Sequence, residues 1–323
     1  MCLIVFSWQP DNDTPLVLLA NRDEFFERPA EPMHWWHDRP DVLAGRDLRG
    51  GGTWMGVNRT GRFAALTNFR DGRAPMAPKD APSRGLLLSD MLRGEGDFTD
   101  PTDAELARFS PFNLIRVIGG TATFWTNRPE PQRQDLSPGV YGLSNGQLDE
   151  PWPKTVRLKA ILSDWLVNSD DPDGLLDGLH EDRLEQEGVV PAEPSDAPWE
   201  PRVSPIFIRN PQYGTRCSTV VMIDAQGRGL IMERRFDASG TATAQTTLVA
   251  EVQTPGLFRL QVRVAQKVVV AIFAFQNGRR DEVEVRTTHG AGDRGRDPVR
   301  VAERPANARR RQQDAVILAL HAI

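Results

Sequence analysis

Short apolar runs joined by turn-forming segments fill the first 250 residues, and this pattern constrains the fold more than any other feature. Residues 2–8 and 15–20 are two such runs, linked by a Pro- and Asp-rich connection that reads as a hairpin turn. A second hairpin is predicted where Asn58-Arg59-Thr60-Gly61 separates Thr53–Val57 from Arg62–Asn68. Further short strands fit 112–118, 121–126, 218–224 and 228–234, with a final strand over 246–251. Residues 84–92 and 153–166 carry apolar side chains at helical spacing, and Pro153 suits a first helical turn. Neighbouring hairpins with helices in separate blocks imply an antiparallel sheet system covered by helices. Gly50-Gly51-Gly52 precedes a strand rather than a helix, so it lacks the setting of a phosphate-binding loop.

Composition narrows the function classes. The two cysteines, Cys2 and Cys217, make no disulfide framework, and the balance of 39% hydrophobic and 26% charged residues is that of a soluble globular chain. A cytoplasmic location is expected. The net charge of −5 gives the core domain no case for nucleic acid. No apolar stretch is long enough for a transmembrane helix, and the opening run lacks the basic flank of a signal peptide. No residue pattern asks for a cofactor or a metal.

Cys2 directly follows the initiator Met. Cys is small enough for that Met to be trimmed, which would put an α-amine and a thiol on one residue. An α-amine has a reference pKa near 8, so it can act as general base for its own side chain, as in an N-terminal nucleophile. The competing reading is a small, buried, inert hydrophobe. Such a site needs a carboxylate or Asn to orient the amine, an Arg to favour the thiolate or hold an acyl group, and Asn donors for the oxyanion. Polar clusters at the predicted strand ends supply these types: Asn21-Arg22-Asp23-Glu24, Thr67-Asn68, Ser144-Asn145 and Thr215-Arg216. Taken singly, each also reads as a capped turn.

In order along the chain, Met1-Cys2, Asn21-Arg22-Asp23-Glu24-Phe25, Ala44-Gly45-Arg46-Asp47-Leu48 and Gly51-Gly52-Thr53-Trp54-Met55-Gly56 form a pattern. It continues through Ala65-Leu66-Thr67-Asn68-Phe69, Ser83-Arg84-Gly85, Tyr141-Gly142-Leu143-Ser144-Asn145, Pro151-Trp152-Pro153-Lys154 and Tyr213-Gly214-Thr215-Arg216. These blocks resemble the NRDE family, also called the transport and Golgi organisation protein 2 family. The resemblance implies an N-terminal nucleophile hydrolase fold, a four-layer αββα sandwich of two antiparallel sheets, as in bile-salt hydrolases and penicillin acylases. By the same resemblance Asn68, Asn145 and Arg216 match the two Asn and the late Arg of those enzymes. Their Arg-Asn-x-Asp motif departs here to Asn21-Arg22-Asp23-Glu24, and either Asp23 or Glu24 could orient the Cys2 amine. The candidate site is therefore Cys2, Arg22, Asp23, Glu24, Asn68, Asn145 and Arg216.

Two function classes follow from the resemblance. One is a hydrolase acting on an amide or thioester of a small acyl substrate. The other is a binding or trafficking protein for haem or acyl-CoA on the same fold, since eukaryotic members are associated with haem trafficking, lipid homeostasis and secretory-pathway organisation. His34-Trp35-Trp36-His37 invites a haem reading because His is a common axial ligand. The simpler account is an aromatic loop packed on the sheet.

The family blocks suggest a domain over 1–254 and an extension over 255–323 outside it. Phe258–Phe275 is a β-prone apolar run suited to an exposed sheet edge. Residues 276–313 carry ten Arg, no Lys and six acidic residues, a composition that favours disorder. Such a tail suits nucleic acid or an anionic membrane surface, and the preferred account is the blander one, an unselected extension such as translation in a shifted frame.

Overall fold

The computed structural model describes residues 2–70, 80–191, 199–250, 257–264, 267–276, 279–288 and 299–300. The chain divides into two compact units, Met1–Val252 and Gln253–Ile323.

In the first unit one sheet contains β1 (Cys2–Trp8), β2 (Leu16–Phe25), β10 (Gly139–Leu143), β11 (Tyr213–Ile223), β12 (Gly229–Phe236) and β13 (Ala242–Ala250). Its strands run antiparallel in the order β10-β1-β2-β11-β12-β13. The other sheet contains β3 (Ala30–Trp35), β4 (Val42–Asp47), β5 (Met55–Asn58), β6 (Phe63–Asn68), β7 (Phe112–Ile118), β8 (Thr121–Thr126) and β9 (Gln132–Asp135), a meander in sequence order. The helices are α1 (Arg84–Arg93), α2 (Asp103–Leu106), α3 (Pro153–Asn168) and α4 (Pro172–Gly178).

Side-chain alternation sorts the core into three layers. Ile4, Phe6, Leu18 and Ala20 of the first sheet meet Ala65, Ile115 and Phe124 of the second in the central layer. The alternate residues Leu3, Val5, Val17 and Leu19 pack beneath Leu158 and Leu162 of α3 and Leu175 and Leu176 of α4. On the far side, Val42, Ala44, Ala64 and Leu66 pack against Leu87, Leu88, Met91 and Leu92 of α1. Each sheet is thus covered on both faces, which is why β1 is an unbroken apolar run rather than an alternating one. Burying each such aliphatic side chain contributes roughly 1.5–3 kcal/mol. The result is the four-layer αββα sandwich. Trp36 belongs to the α1 side, with its indole N–H on the Ala44 carbonyl at 3.0 Å, so the aromatic segment packs on the sheet. Among the described residues no helix is long and apolar enough to cross a membrane.

The strand β2 departs from the expected end at residue 20. It continues through the polar tetrad to Phe25, because β1 and β11 flank it on both sides and satisfy its backbone. Asn21 is fully buried there, donating to the carbonyls of Leu179 and Ile206 at 2.9 and 2.8 Å and accepting from the Ser218 hydroxyl at 2.6 Å. It bolts the sheet to the helical layer.

Gly52 explains part of the glycine run. A β-carbon there would run into the Gly85 carbonyl at the start of α1, where the Thr53 N–H donates to that same carbonyl at 3.3 Å. The close backbone approach requires glycine.

The second unit is an antiparallel meander of β14 (Leu257–Val264), β15 (Lys267–Gln276), β16 (Arg279–Thr288) and β17 (Val299–Arg300). Two of these strands fall inside the stretch 276–313 whose composition favours disorder. Apart from Gln276 at the end of β15, the rest of that stretch lies outside the described residues.

Candidate active site

Strand register builds the site. Cys2 pairs with Arg22, Arg22 with Cys217, and Cys217 with Arg235, so four side chains from β1, β2, β11 and β12 stand in one row. Directly opposed residues of antiparallel strands share a face. The row continues the central-layer face, as Ile4, Ala20, Val221 and Ile231 show. Where the apolar layer ends, the row forms one wall of a cavity of about 310 Å³. Thr215 pairs with Asp23 and Cys217 with Arg22, which leaves Arg216 as the extra residue of a β-bulge. Bulges re-aim side chains, and this one sends Arg216 into the cavity beside Cys217.

Cys2, Arg22, Asp23, Glu24, Asn68 and Arg216 all line the cavity. Asn145 is not among the lining residues. It is fully buried, with its amide N–H on the Asn68 carbonyl at 2.7 Å and its own carbonyl receiving the Arg70 N–H at 2.7 Å. The second Asn therefore holds the backbone of the first.

The two candidate carboxylates have different surroundings. Glu24 faces the cavity side, 3.9 Å from both Arg22 and Arg28, and Asp47 completes this group at 2.6 Å from Arg28 and 3.6 Å from Arg22. Burial pulls the Asp47 carboxyl up, but the Arg28 bond and the Gly50 and Arg49 N–H groups outweigh it and hold it below the usual range. Asp23 lies on the α3 side of β2, accepting from the Thr215 hydroxyl at 2.7 Å. Near it sits a buried cluster: Glu200 receives Arg70 at 2.8 Å and the Ser204 hydroxyl at 3.1 Å, and Lys154 lies 3.5 Å from Glu200 and 3.0 Å from Ser204.

Burial pushes the Asp23 carboxyl up to about 6, against the pull of Lys154 and the amino terminus. A folded-state value above the ordinary 3.8 means the folded chain takes up this proton before the unfolded one does. The resulting stabilisation is complete below pH 3.8 and is lost as pH rises through about 6. The whole difference is on the order of 3 kcal/mol. Wild type should therefore lose stability relative to Asp23→Asn between pH 4 and 7, read as the change in their difference by denaturant titration at each pH. A difference that stays flat with pH would contradict a raised Asp23.

The Cys2 thiol is pushed up to about 11, first by burial and then by Asp23 and Glu24, with the amino terminus and Arg22 opposing. At that value it is a neutral thiol at pH 7. Cys217 is raised further by burial and by Glu233, whose own carboxyl burial also raises. Glu233 accepts the Met33 N–H at 3.0 Å. Cys217, Glu233 and Arg235 are cavity residues that the sequence reading missed. Only the pairing of β11 and β12 against β2 brings them there, and no local motif marks it. Among the described residues no cluster of His, Cys, Asp and Glu has the arrangement of a metal site.

The sequence profile of the family described as Transport and Golgi organisation 2 matches residues 1–238. The bovine Transport and Golgi organization protein 2 homolog is 33% identical over 271 residues, covering 76% of this chain and 97% of that protein. The mouse Transport and Golgi organization 2 homolog is 31% identical, with the same coverage of each chain. Among solved structures, the Caenorhabditis elegans N-acylethanolamine-hydrolyzing acid amidase ortholog aligns with a TM-score of 0.43 and 13% identity, covering 69% of this chain and 93% of its own. With a family profile matched across the whole strand framework that builds the cavity, the chain belongs to the Transport and Golgi organisation 2 family.

Proposed function

We propose that this protein is an N-terminal-cysteine hydrolase acting on an amide or thioester of a small acyl substrate. The observation that carries the reading is the meeting of Cys2, Asn68 and Arg216 at one cavity, with Asp23 buried next to Cys2 on the opposite face of β2. In this reading the mature chain begins at Cys2. A thiol held near 11 needs a base, and a free α-amine with a reference pKa near 8 supplies one. The amine takes the thiol proton as sulfur attacks the acyl carbonyl. The Asn68 amide donates to the oxyanion, and the ammonium returns its proton to the leaving amine or thiol. Water then attacks the thioester, with the amine again as base, and frees the acid and Cys2. Asp23 orients the amine, and Glu24 belongs instead to the Arg22–Arg28–Asp47 group.

The test joins two measurements. Intact-mass spectrometry should find the chain starting at Cys2. A screen of amide, N-acyl amino acid and acyl-CoA substrates should find turnover that Cys2→Ala abolishes. A retained residue ahead of Cys2 would remove the base and end the proposal. Saturable binding of haem or acyl-CoA that survives Cys2→Ala, with no turnover, would assign the cavity to binding instead.

A further inference from the structure

Arg216 and Arg235 are cavity arginines that the local carboxylates leave over. Arg22 and Arg28 share Glu24 and Asp47. By contrast, among the described residues Arg216 donates to the carbonyls of Phe25 and Arg28, at 2.8 and 3.0 Å, both from one guanidinium nitrogen, and lies 5.1 Å from the centre of the Phe26 ring. Arg235 donates to the Ala30 carbonyl at 3.3 Å. Neither stands within ion-pair distance of a carboxylate among the described residues, and each guanidinium has five N–H donors to place. Both line the cavity that holds the Cys2 thiol, on either side of Cys217 in chain and register. Burial and then repulsion from Arg22 and Arg235 lower the Arg216 pKa, with Cys217 and Glu24 opposing. Glu233, two residues before Arg235 on β12, is nearly fully buried, accepts the Met33 N–H and acts on Arg235 from beyond ion-pair distance. Partly desolvated cations without a counter-ion are unfavourable, so the arrangement suits an incoming anion. Planar guanidiniums match carboxylate and phosphate oxygens best.

We propose that Arg216 and Arg235 form an anion subsite, so that the ligand presented to Cys2 carries a carboxylate or phosphate group. That the ligand is also a substrate rests on the hydrolase reading above; the subsite does not.

Alkylation of Cys2 in the full chain tests it without turnover. Iodoacetate and iodoacetamide differ in carrying or lacking a carboxylate. The ratio of their rates at Cys2, followed by peptide mass mapping, is compared with the ratio for the same thiol in the urea-unfolded chain. The native ratio should exceed the unfolded one about tenfold, the size one charge-assisted contact gives. It should fall towards the unfolded value in Arg235→Gln and as sodium chloride rises, and the salt arm stands alone should Arg235→Gln not fold. Calorimetric titration with succinate and with inorganic phosphate should show saturable binding of at least one, and which one binds separates the carboxylate from the phosphate source. Equal native and unfolded ratios, a native preference that ignores salt, or no binding of either anion would overturn the subsite. A preference for iodoacetate in a protein that turns over nothing would keep the subsite and remove the hydrolase.

Discussion

Glu200→Gln will cost the fold about 3–5 kcal/mol, the size expected when one partner of a buried ion pair is removed. The Glu200 side chain is 1% exposed, and it faces Lys154 at 3% and Arg70 at 7%. One carboxylate thus serves two cations that water hardly reaches. Neutralising it takes that partner from both buried cations, and Asp23, the described acid that acts on Lys154, is itself held up to about 6 by burial. Lys154→Met removes one of those cations and should cost less, because Arg70 still pairs with Glu200. In the double variant the two losses should sum to more than the observed total, since the second change relieves a charge that the first exposed. Urea denaturation of the four proteins reads this directly. A loss below about 1 kcal/mol for Glu200→Gln would rank the contact with solvent-exposed pairs and contradict its burial. The cluster also bears on the proposed chemistry, because Lys154 and Glu200 act on Asp23, the group proposed to orient the amine.

Much of the framework was legible in the sequence because it depends on local pattern. The β1–β2 and β5–β6 hairpins, and helices α1 and α3, follow from apolar spacing and turn residues close in the chain. Ordered blocks also identified the family, which the match over residues 1–238 shows. What stayed hidden depends on long-range pairing. A run such as Asn21–Glu24 reads as a strand end because polar side chains ordinarily seek water. Here β11 arrives from about 190 residues later and gives Asn21 and Asp23 the hydroxyls of Ser218 and Thr215. Asp23 and Glu24 lie on opposite sheet faces, which only the continued strand reveals. The bulge that turns Arg216 into the cavity shifts one residue of register, and no residue type announces it. Cys217 was visible only as a second thiol, and Arg235 as one arginine among many. Lys154 lay in a recognised block, yet its partner Glu200 is 46 residues away with no motif of its own.

The two asparagines matched through the family resemblance should give different results. Asn68→Ala will lower turnover by roughly 100- to 1000-fold, the usual loss of an oxyanion donor, with little change in stability. Asn68 lines the cavity at the end of β6 and is only half-buried, so truncation removes a donor and empties no core. Asn145→Ala will instead act first on folding. It deletes the fully buried Asn145 amide that satisfies the Asn68 carbonyl at 2.7 Å. An unsatisfied buried acceptor costs about 1–3 kcal/mol. Turnover in that variant should fall as well, because the backbone carrying Asn68 loses its anchor. Without direct contact to the reacting atoms, however, the loss should be smaller than for Asn68→Ala and should be no greater in the double variant than for Asn68→Ala alone. Steady-state kinetics on the substrate found by the screen, with urea denaturation of each variant, separates the two. Should Asn145→Ala lose 100-fold or more at unchanged stability, Asn145 would itself reach the oxyanion, and the assignment of that donor to Asn68 would fail.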